Sequence, residues 1–330
     1  MNHQHSFMSL RAQQGVVTMG CEDLHDIVDP EPSRLAAFSG RKLAIDAAFW
    51  FQRYYFARTI TELSSDDRAV GDSDISQGLT LLLSLPDLFR NDIIPIFVFD
   101  PMRRSRPSKS NPTSDHLEHT PDPSEPEKHL PFLQRPTKTL LEALDVPYCE
   151  APLYAEADAS VFAQNGRVDA VVSNDYDTLL YGAPITLRKR RNDSTWEIIE
   201  LETVLSQNRL SYREFLDIAI LVGTDEAQGP YKNHIDEAIH KVRQAEDLDE
   251  FEAEYNKYLR APSLRVEDPA MTFAELHGLY ANPPITRGPN RPAPTVPDPD
   301  FAAVGNFLFE ELNQNPAMLE KLLDPIQETV

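Results

Sequence analysis

Lysine is scarce in this chain: it supplies nine of 31 basic residues, set against 53 Asp and Glu, for a net charge of −22. Taken alone, that balance argues against a nucleic-acid partner, because phosphate binders usually carry a basic surface. An acidic, lysine-poor surface that keeps its arginines also fits a high-salt cytoplasm, where screening over a few ångströms removes long-range repulsion. Charge therefore weakens a nucleic-acid reading without excluding it. Cysteine is nearly absent, and Cys21 and Cys149 read as small semi-buried residues of a reducing compartment, without metal-binding spacing. The nine histidines are scattered without ligand spacing, and none reads as a metal ligand. No apolar run approaches the ~18 residues of a spanning helix, and the first 20 residues lack the basic-then-apolar layout of a secretory signal. The expectation is a soluble, cytoplasmic protein with no membrane partner.

What is present is an apolar fraction of 41% over 330 residues, enough for a sizeable core, together with 27 prolines. "RKLAID" (41–46) reads as a strand followed by an aromatic amphipathic helix, "AAFWFQRYYFARTI". "ISQGLTLLLSLPDLF" (75–89) reads as a helix and "IIPIFVFD" (93–100) as a second strand. Residues 101–136 are dense in proline and lack apolar periodicity, which predicts a flexible insert. Beyond it, "TKTLLEALDVPYCEAP" gives a helix and a short strand, "AEADASVFAQNG" a helix stopped at Gly166, and "RVDAVVSNDYD" a third strand. "ITLRKRRNDSTWEIIEL" (185–201) reads as two short strands about a turn, and "SYREFLDIAILVGTD" as a helix with Ser211 as N-cap. Helical segments near 232–258 and 270–280, a proline-rich loop at 283–299 and a last helix near 301–323 complete the chain. Strands alternating with helices predict an α/β fold, a twisted, mostly parallel sheet flanked by helices on both faces.

Acids recur at the ends of these elements. Asp46, Asp100 and the pair Asp175 and Asp177 each follow an apolar strand, Asp225 follows an apolar helix, and Glu156 lies in the first turn of its helix. The carboxyl ends of strands in an open α/β sheet converge on one crevice, the usual ligand site. Six carboxylates in one cleft repel one another and raise their pKa values unless cations neutralise them. Oxygen-only donors suit Mg²⁺ or Mn²⁺ rather than zinc. Two such ions are the usual apparatus for in-line attack on a phosphodiester. Solvated loop acids in an acidic chain are the alternative.

The ordered stretches "RKLAIDAAFWFQRYY", "IIPIFVFD", "EAPLYAEADA", "GRVDAVVSNDYDTLLYG" and "FLDIAILVGTD" resemble the flap endonuclease/XPG family of structure-specific 5′ nucleases. "AELHGLYANPPIT" and "DPDFAAVGNFLFEEL" are similar to its C-terminal segment. The resemblance implies a PIN-like 5′-nuclease fold and a core over residues 19–225 with a helical region over 226–330. It further implies two Mg²⁺ ions, with Mn²⁺ as the substitute, held by Asp46, Asp100, Glu156, Asp175, Asp177 and Asp225. Met19-Gly20 lines up with the family's initiating Met-Gly. Residues 1–18 are accordingly expected to be an extension or an early-called start. Together with the charge balance, the resemblance points to a halophilic archaeal source.

The departures from the pattern are informative. Tyr154 stands where the family has the first Glu of its "EAEA" motif, and Asp158 points the wrong way on a helix to replace it. The proline-rich insert replaces a basic helical arch. "GTDEAQGPYKNHIDEA" keeps only Gly229-Pro230 of the family's "GIGPK"-like turn, so the helix-two-turn-helix is expected to be degenerate. Gln52 occupies a place where the family often has a base-stacking Tyr. The tail "DPIQETV" lacks an aromatic sliding-clamp motif.

Nucleic-acid contacts are expected from Gly20, Trp50, Arg53, Tyr54, Gly78, Arg103, Arg104, Lys109, Arg188, Lys189, Arg190 and Arg191. Core packing is the alternative for the aromatics, close packing for Gly78, and a charge-guarded edge strand for residues 187–193. Three functions follow from the resemblance: a metal-dependent nuclease of flapped or branched DNA, a nuclease of single-stranded DNA or RNA, and a non-catalytic nucleic-acid-binding or regulatory protein on the same fold.

Overall fold

A computed structural model of the chain describes residues 21–55, 73–101, 126–189, 195–245, 248–259, 271–287, 292–310 and 316–329. After a 3₁₀ turn at Glu22–Asp26 come β1 (Glu31–Ser33), β2 (Lys42–Asp46), α1 (Ala47–Tyr55), α2 (Ser73–Phe89), β3 (Ile94–Phe99), α3 (Pro126–Ala143) and β4 (Tyr148–Glu150). Next are α4 (Ala155–Gln164), β5 (Ala170–Val172), α5 (Asp177–Leu180), β6 (Ile185–Lys189), β7 (Trp196–Glu200), α6 (Leu201–Asn208) and α7 (Tyr212–Val222). The chain continues through β8 (Gly223–Thr224), β9 (Ala227–Gln228), α8 (Ile235–Gln244), α9 (Leu248–Leu259), α10 (Phe273–Ala281), α11 (Phe301–Glu310) and α12 (Pro316–Gln327). None of the described helices is long and apolar enough to cross a membrane.

Seven strands form one sheet in the order β1-β7-β6-β5-β2-β3-β4. The five from β6 to β4 are parallel, and β7 and β1 close one side antiparallel. The mostly parallel, doubly covered sheet expected from the sequence is the one found. Alternation along β2 sorts the two faces, since successive side chains point to opposite sides. Leu43 and Ile45 join Phe97, Phe99 and Leu187 under α1, α2 and α3, whereas Ala44 joins Ile96, Val98 and Val171 beneath α4. Small residues on α4, Ala155 and Ala159, are fully buried there and let the helix sit close to the strands. A third apolar cluster gathers α6 to α10 around Phe215, Tyr255 and Tyr280.

Four elements differ from expectation. The insert expected to run to residue 136 gives way to a helix already at Pro126; proline at the first helical position lacks only an N–H that would go unused, and Leu140 and Leu141 bury its far end. The rest of that insert, 102–125, lies outside the described residues. β6 is not an edge strand, because β7 and then β1 cover it. The helix expected at 301–323 is two helices, α11 and α12, whose Val304, Leu308, Leu322 and Ile326 fold back into the core around β2 and β3. Finally, α7 runs into the β8–β9 hairpin rather than an open turn.

Candidate active site

The strand order explains how distant acids meet. β5, β2 and β3 are adjacent and parallel, so their carboxyl ends deliver Asp175, Asp46 and Asp100 to the same edge of the sheet. Asp46 ends β2 at 3% exposure and also caps α1, accepting the Phe49 N–H on Oδ1 at 3.2 Å. Its Oδ2 accepts the Ser173 hydroxyl at 2.9 Å. Asp100 follows β3, and its Oδ1 accepts the Ala155 N–H at 3.1 Å. That contact places a negative charge at the positive end of α4 and draws Glu156, in the same first turn, toward the strand ends. Asp175 and Asp177 are nearly buried and locked in series. The Asp177 N–H donates to Asp175 Oδ1 at 2.9 Å, and the Cys21 N–H donates to Asp177 Oδ1 at 3.1 Å. Asp225 is exposed at the tip of the β8–β9 hairpin.

The electrostatics bear the imprint of this crowding. Burial, then the Asp100 and Asp175 charges, push Asp46 up to about 7 against the hydrogen bonds from Phe49 and Ser173. Burial, then Asp46, Asp100 and Asp175, raise Glu156 well above the usual carboxylate range. Asp175 is raised to about 6, chiefly by burial, with Asp225 and Asp100 adding to it and the Asp177 N–H and Arg188 opposing. Asp177 is raised by burial, then by Asp175 and Asp225, with Glu226 adding a further increment. All six predicted carboxylates are therefore electrostatic neighbours.

Among the described residues, no three His, Cys, Asp or Glu side chains close on a single point as tightly as a bound ion needs. The acids are gathered more loosely, at the carboxyl edge of the sheet. Their donor set nevertheless fits hard divalent cations: every side-chain donor is a carboxylate oxygen, and the charges of these acids raise one another's pKa.

The predicted nucleic-acid contacts divide. Trp50 is a correction: it is fully buried, its Nε1–H donates to Ser84 Oγ at 2.8 Å, and its ring packs on Phe97 and Trp196, so no base can reach it. Core packing won because Trp50 and Phe51 of α1 pack into the core over the sheet. Gly78 is buried within α2. Arg188 is half-buried, with its guanidinium 4.2 Å from the centroid of Tyr176, between the two aspartates. Lys189 lies over Trp196 at 5.4 Å. Arg53 and Tyr54 belong to α1, and Gly20, Arg103, Arg104, Lys109, Arg190 and Arg191 lie outside the described residues.

Asp158 is fully buried and spends both oxygens on the Thr286 N–H, at 3.0 and 3.2 Å, tying the C-terminal segment to α4. It does not replace the acid absent at 154. Three contributors escaped the sequence reading: Ser173, the Cys21 N–H and Glu226. For Glu226 the only signal was its place next to Asp225.

Two family models match the chain: the XPG N-terminal domain over residues 19–113 and the XPG I-region over residues 145–225. Between them they contain all six acids. Flap endonuclease 1 of Haloquadratum walsbyi is 27% identical over 333 residues, spanning 94% of this chain and 97% of that protein. Flap endonuclease 1 of Methanocaldococcus jannaschii is 31% identical over 261 residues, 72% of this chain and 74% of that one. A solved structure of the flap endonuclease-1 from Methanococcus jannaschii superposes with a TM-score of 0.66 at 24% identity, covering 93% of this chain and 98% of that chain.

Proposed function

The chain belongs to the XPG/flap endonuclease family of nucleases, and from that premise we propose that it hydrolyses phosphodiesters of flapped or branched DNA with divalent metal ions held by Asp46, Asp100, Glu156, Asp175, Asp177 and Asp225. The observation that carries the reading is the gathering of Asp46, Asp100, Asp175 and Asp177 at the carboxyl ends of β2, β3 and β5, with Glu156 and Asp225 near enough to join in their mutual repulsion. A chain that had abandoned catalysis would be free to replace such acids with neutral residues and gain stability. Mg²⁺, or Mn²⁺ in its place, would supply water activation and stabilisation of charge on the leaving oxygen.

The chain's own groups position these acids. Ser173 and the Phe49 N–H fix both oxygens of Asp46, and the N–H groups of Ala155, Asp177 and Cys21 each fix one oxygen of Asp100, Asp175 and Asp177. Carboxylates held this way need little reorganisation as charge develops during reaction. Arg188 is the phosphate contact in this reading. Its guanidinium is braced on Tyr176 beside Asp175, and its Nε is buried without a hydrogen-bond partner among the described residues.

The test is cleavage of end-labelled 5′-flap, single-stranded and duplex substrates with Mg²⁺ or Mn²⁺, at low and high KCl. The flap is expected to be cut, and Asp175→Asn with Asp177→Asn to abolish cutting. Absence of cleavage on every substrate overturns the proposal, and preferential cutting of single strands reassigns the substrate.

A further inference from the structure

Position 154 is where the chain departs from its family's acidic pattern, and the structure shows what the substitute does. Tyr154 precedes α4 with extended backbone (φ −135°, ψ 137°) and makes no capping hydrogen bond with its side chain. Its hydroxyl instead donates to a carboxylate oxygen of Glu226. Glu226 comes from the other side of the cleft, as the second residue of the two-residue turn between β8 and β9. It is half-buried, next in sequence to Asp225, and close enough to Asp177 to add to the repulsion there.

That turn is closely packed at its base. The N–H of Tyr231 donates to the Leu221 carbonyl at 2.9 Å, and Gly223 and Gly229 bring their backbones together so tightly that a Cβ on Gly229 would lie 2.1 Å from the Leu221 oxygen. From the opposite side, the Tyr154 ring leans on Tyr181 at 6.4 Å, and Tyr181 on Tyr280 at 5.0 Å. Both ends of the Tyr154–Glu226 hydrogen bond are therefore anchored by the fold.

We propose that Glu226 supplies the carboxylate that position 154 lacks, delivered to the cleft from the hairpin instead of from the helix, with Tyr154 as its positioning residue. The inference rests on the reading of the six acids as a metal site. A phenol cannot replace a carboxylate's charge, but by donating to one oxygen of Glu226 it fixes the side chain and leaves the second oxygen for a cation or its water. The exchange restores the seventh carboxylate while moving it to a different element.

The experiment is calorimetric titration of the chelator-treated full chain with Mn²⁺, without DNA. E226Q keeps the shape of the side chain and its ability to accept from Tyr154, and it is expected to weaken one class of Mn²⁺ site about tenfold or more. Y154F removes only the positioning hydroxyl and is expected to give a smaller loss at the same site. The double variant Y154E/E226Q, which returns the acid to the helix, is expected to recover the affinity. An E226Q isotherm that matches wild type overturns the inference, and so does a double variant as weak as E226Q alone. Asp175→Asn separates the two levels: if it weakens binding and E226Q does not, only the exchange fails; if neither does, the metal-site reading itself fails. Should E226Q melt early, Y154F and Y154E/E226Q still decide the matter, because a purely structural role for the pair would not be repaired by an acid at 154.

Discussion

A carboxylate buried beside other carboxylates is charged only at a cost, and for Asp175 the Arg188 cation and the Asp177 N–H offset part of it. Asp175→Asn is expected to remove more activity than the ~10–100-fold typical of losing an outer-shell partner, read as single-turnover cleavage of a 5′ flap. In chelator at pH 8 the same variant is expected to melt a few degrees higher than wild type, because the repulsion is gone. A variant that loses both activity and stability would mean that Asp175 is structural. Asp217 offers a cleaner view of pH dependence, as it stands apart from the cleft. It is 3% exposed on α7, faces Arg213, Glu214 and His277, and burial raises it to about 6. An acid whose folded pKa exceeds its unfolded value keeps its proton longer in the folded chain. Stability from this residue is therefore greatest below about pH 4 and falls as pH rises through 6. Asp217→Asn removes that loss. The difference in melting temperature between variant and wild type is expected to widen from pH 4.5 to 7.5, and a difference independent of pH would refute the assignment.

At the scale of elements, what the sequence made legible was the periodic and punctuated part. β2, β3 and β5 are unbroken apolar runs ending on acids, and their parallel order follows from the helices between them. The same pattern marked Asp46, Asp100, Asp175 and Asp177, whereas Glu156 and Asp225 were legible from the start of one helix and the end of another. The elements that stayed hidden are those held by tertiary contact alone. β1 is three largely exposed residues that pair only because β7 lies beside them, and no local propensity announces it. The β8–β9 hairpin is two residues a side, too short for alternation to register. Glu226 was missed with it, since only the hairpin turns that side chain toward Tyr154. Glycine substitutions test how much this hairpin matters. Gly229→Ala drives a Cβ into the Leu221 carbonyl and the Gly223 N–H, so backbone must move. The expected loss is at the upper end of the usual ~0.5–3 kcal/mol for a point substitution, with cleavage falling as Asp225 and Glu226 shift. Gly278→Ala and Gly305→Ala are the controls. Both lie within helices with open space at the added methyl, and each is expected to stabilise by ~0.5–1 kcal/mol without altering cleavage. Chemical denaturation of the three variants ranks them, and equal effects would show that hairpin geometry is irrelevant.

At the scale of the whole molecule, 53 acids against 31 bases set two opposing salt dependences. Nucleic-acid binding ordinarily weakens with salt because cations released from the phosphates become less favourable to release. Folding of a chain this negative strengthens with salt because self-repulsion is screened within roughly 10 Å at 0.1 M and roughly 3 Å at 1 M. Much of the cleft's own repulsion is buried and largely beyond the reach of screening by monovalent ions. Added KCl is therefore expected to act on the surface, and divalent ions on the site. Raising KCl from 0.1 to 2 M in chelator should lift the melting temperature of wild type and of Asp175→Asn in parallel. Adding Mn²⁺ at fixed KCl should lift wild type and leave Asp175→Asn behind, since stabilisation by a ligand follows its affinity for the folded state. If KCl alone closes the gap between the two proteins, the cleft is solvent-screened like the rest of the surface. The acids would then be part of the chain's general acidity and not a site that a divalent ion completes.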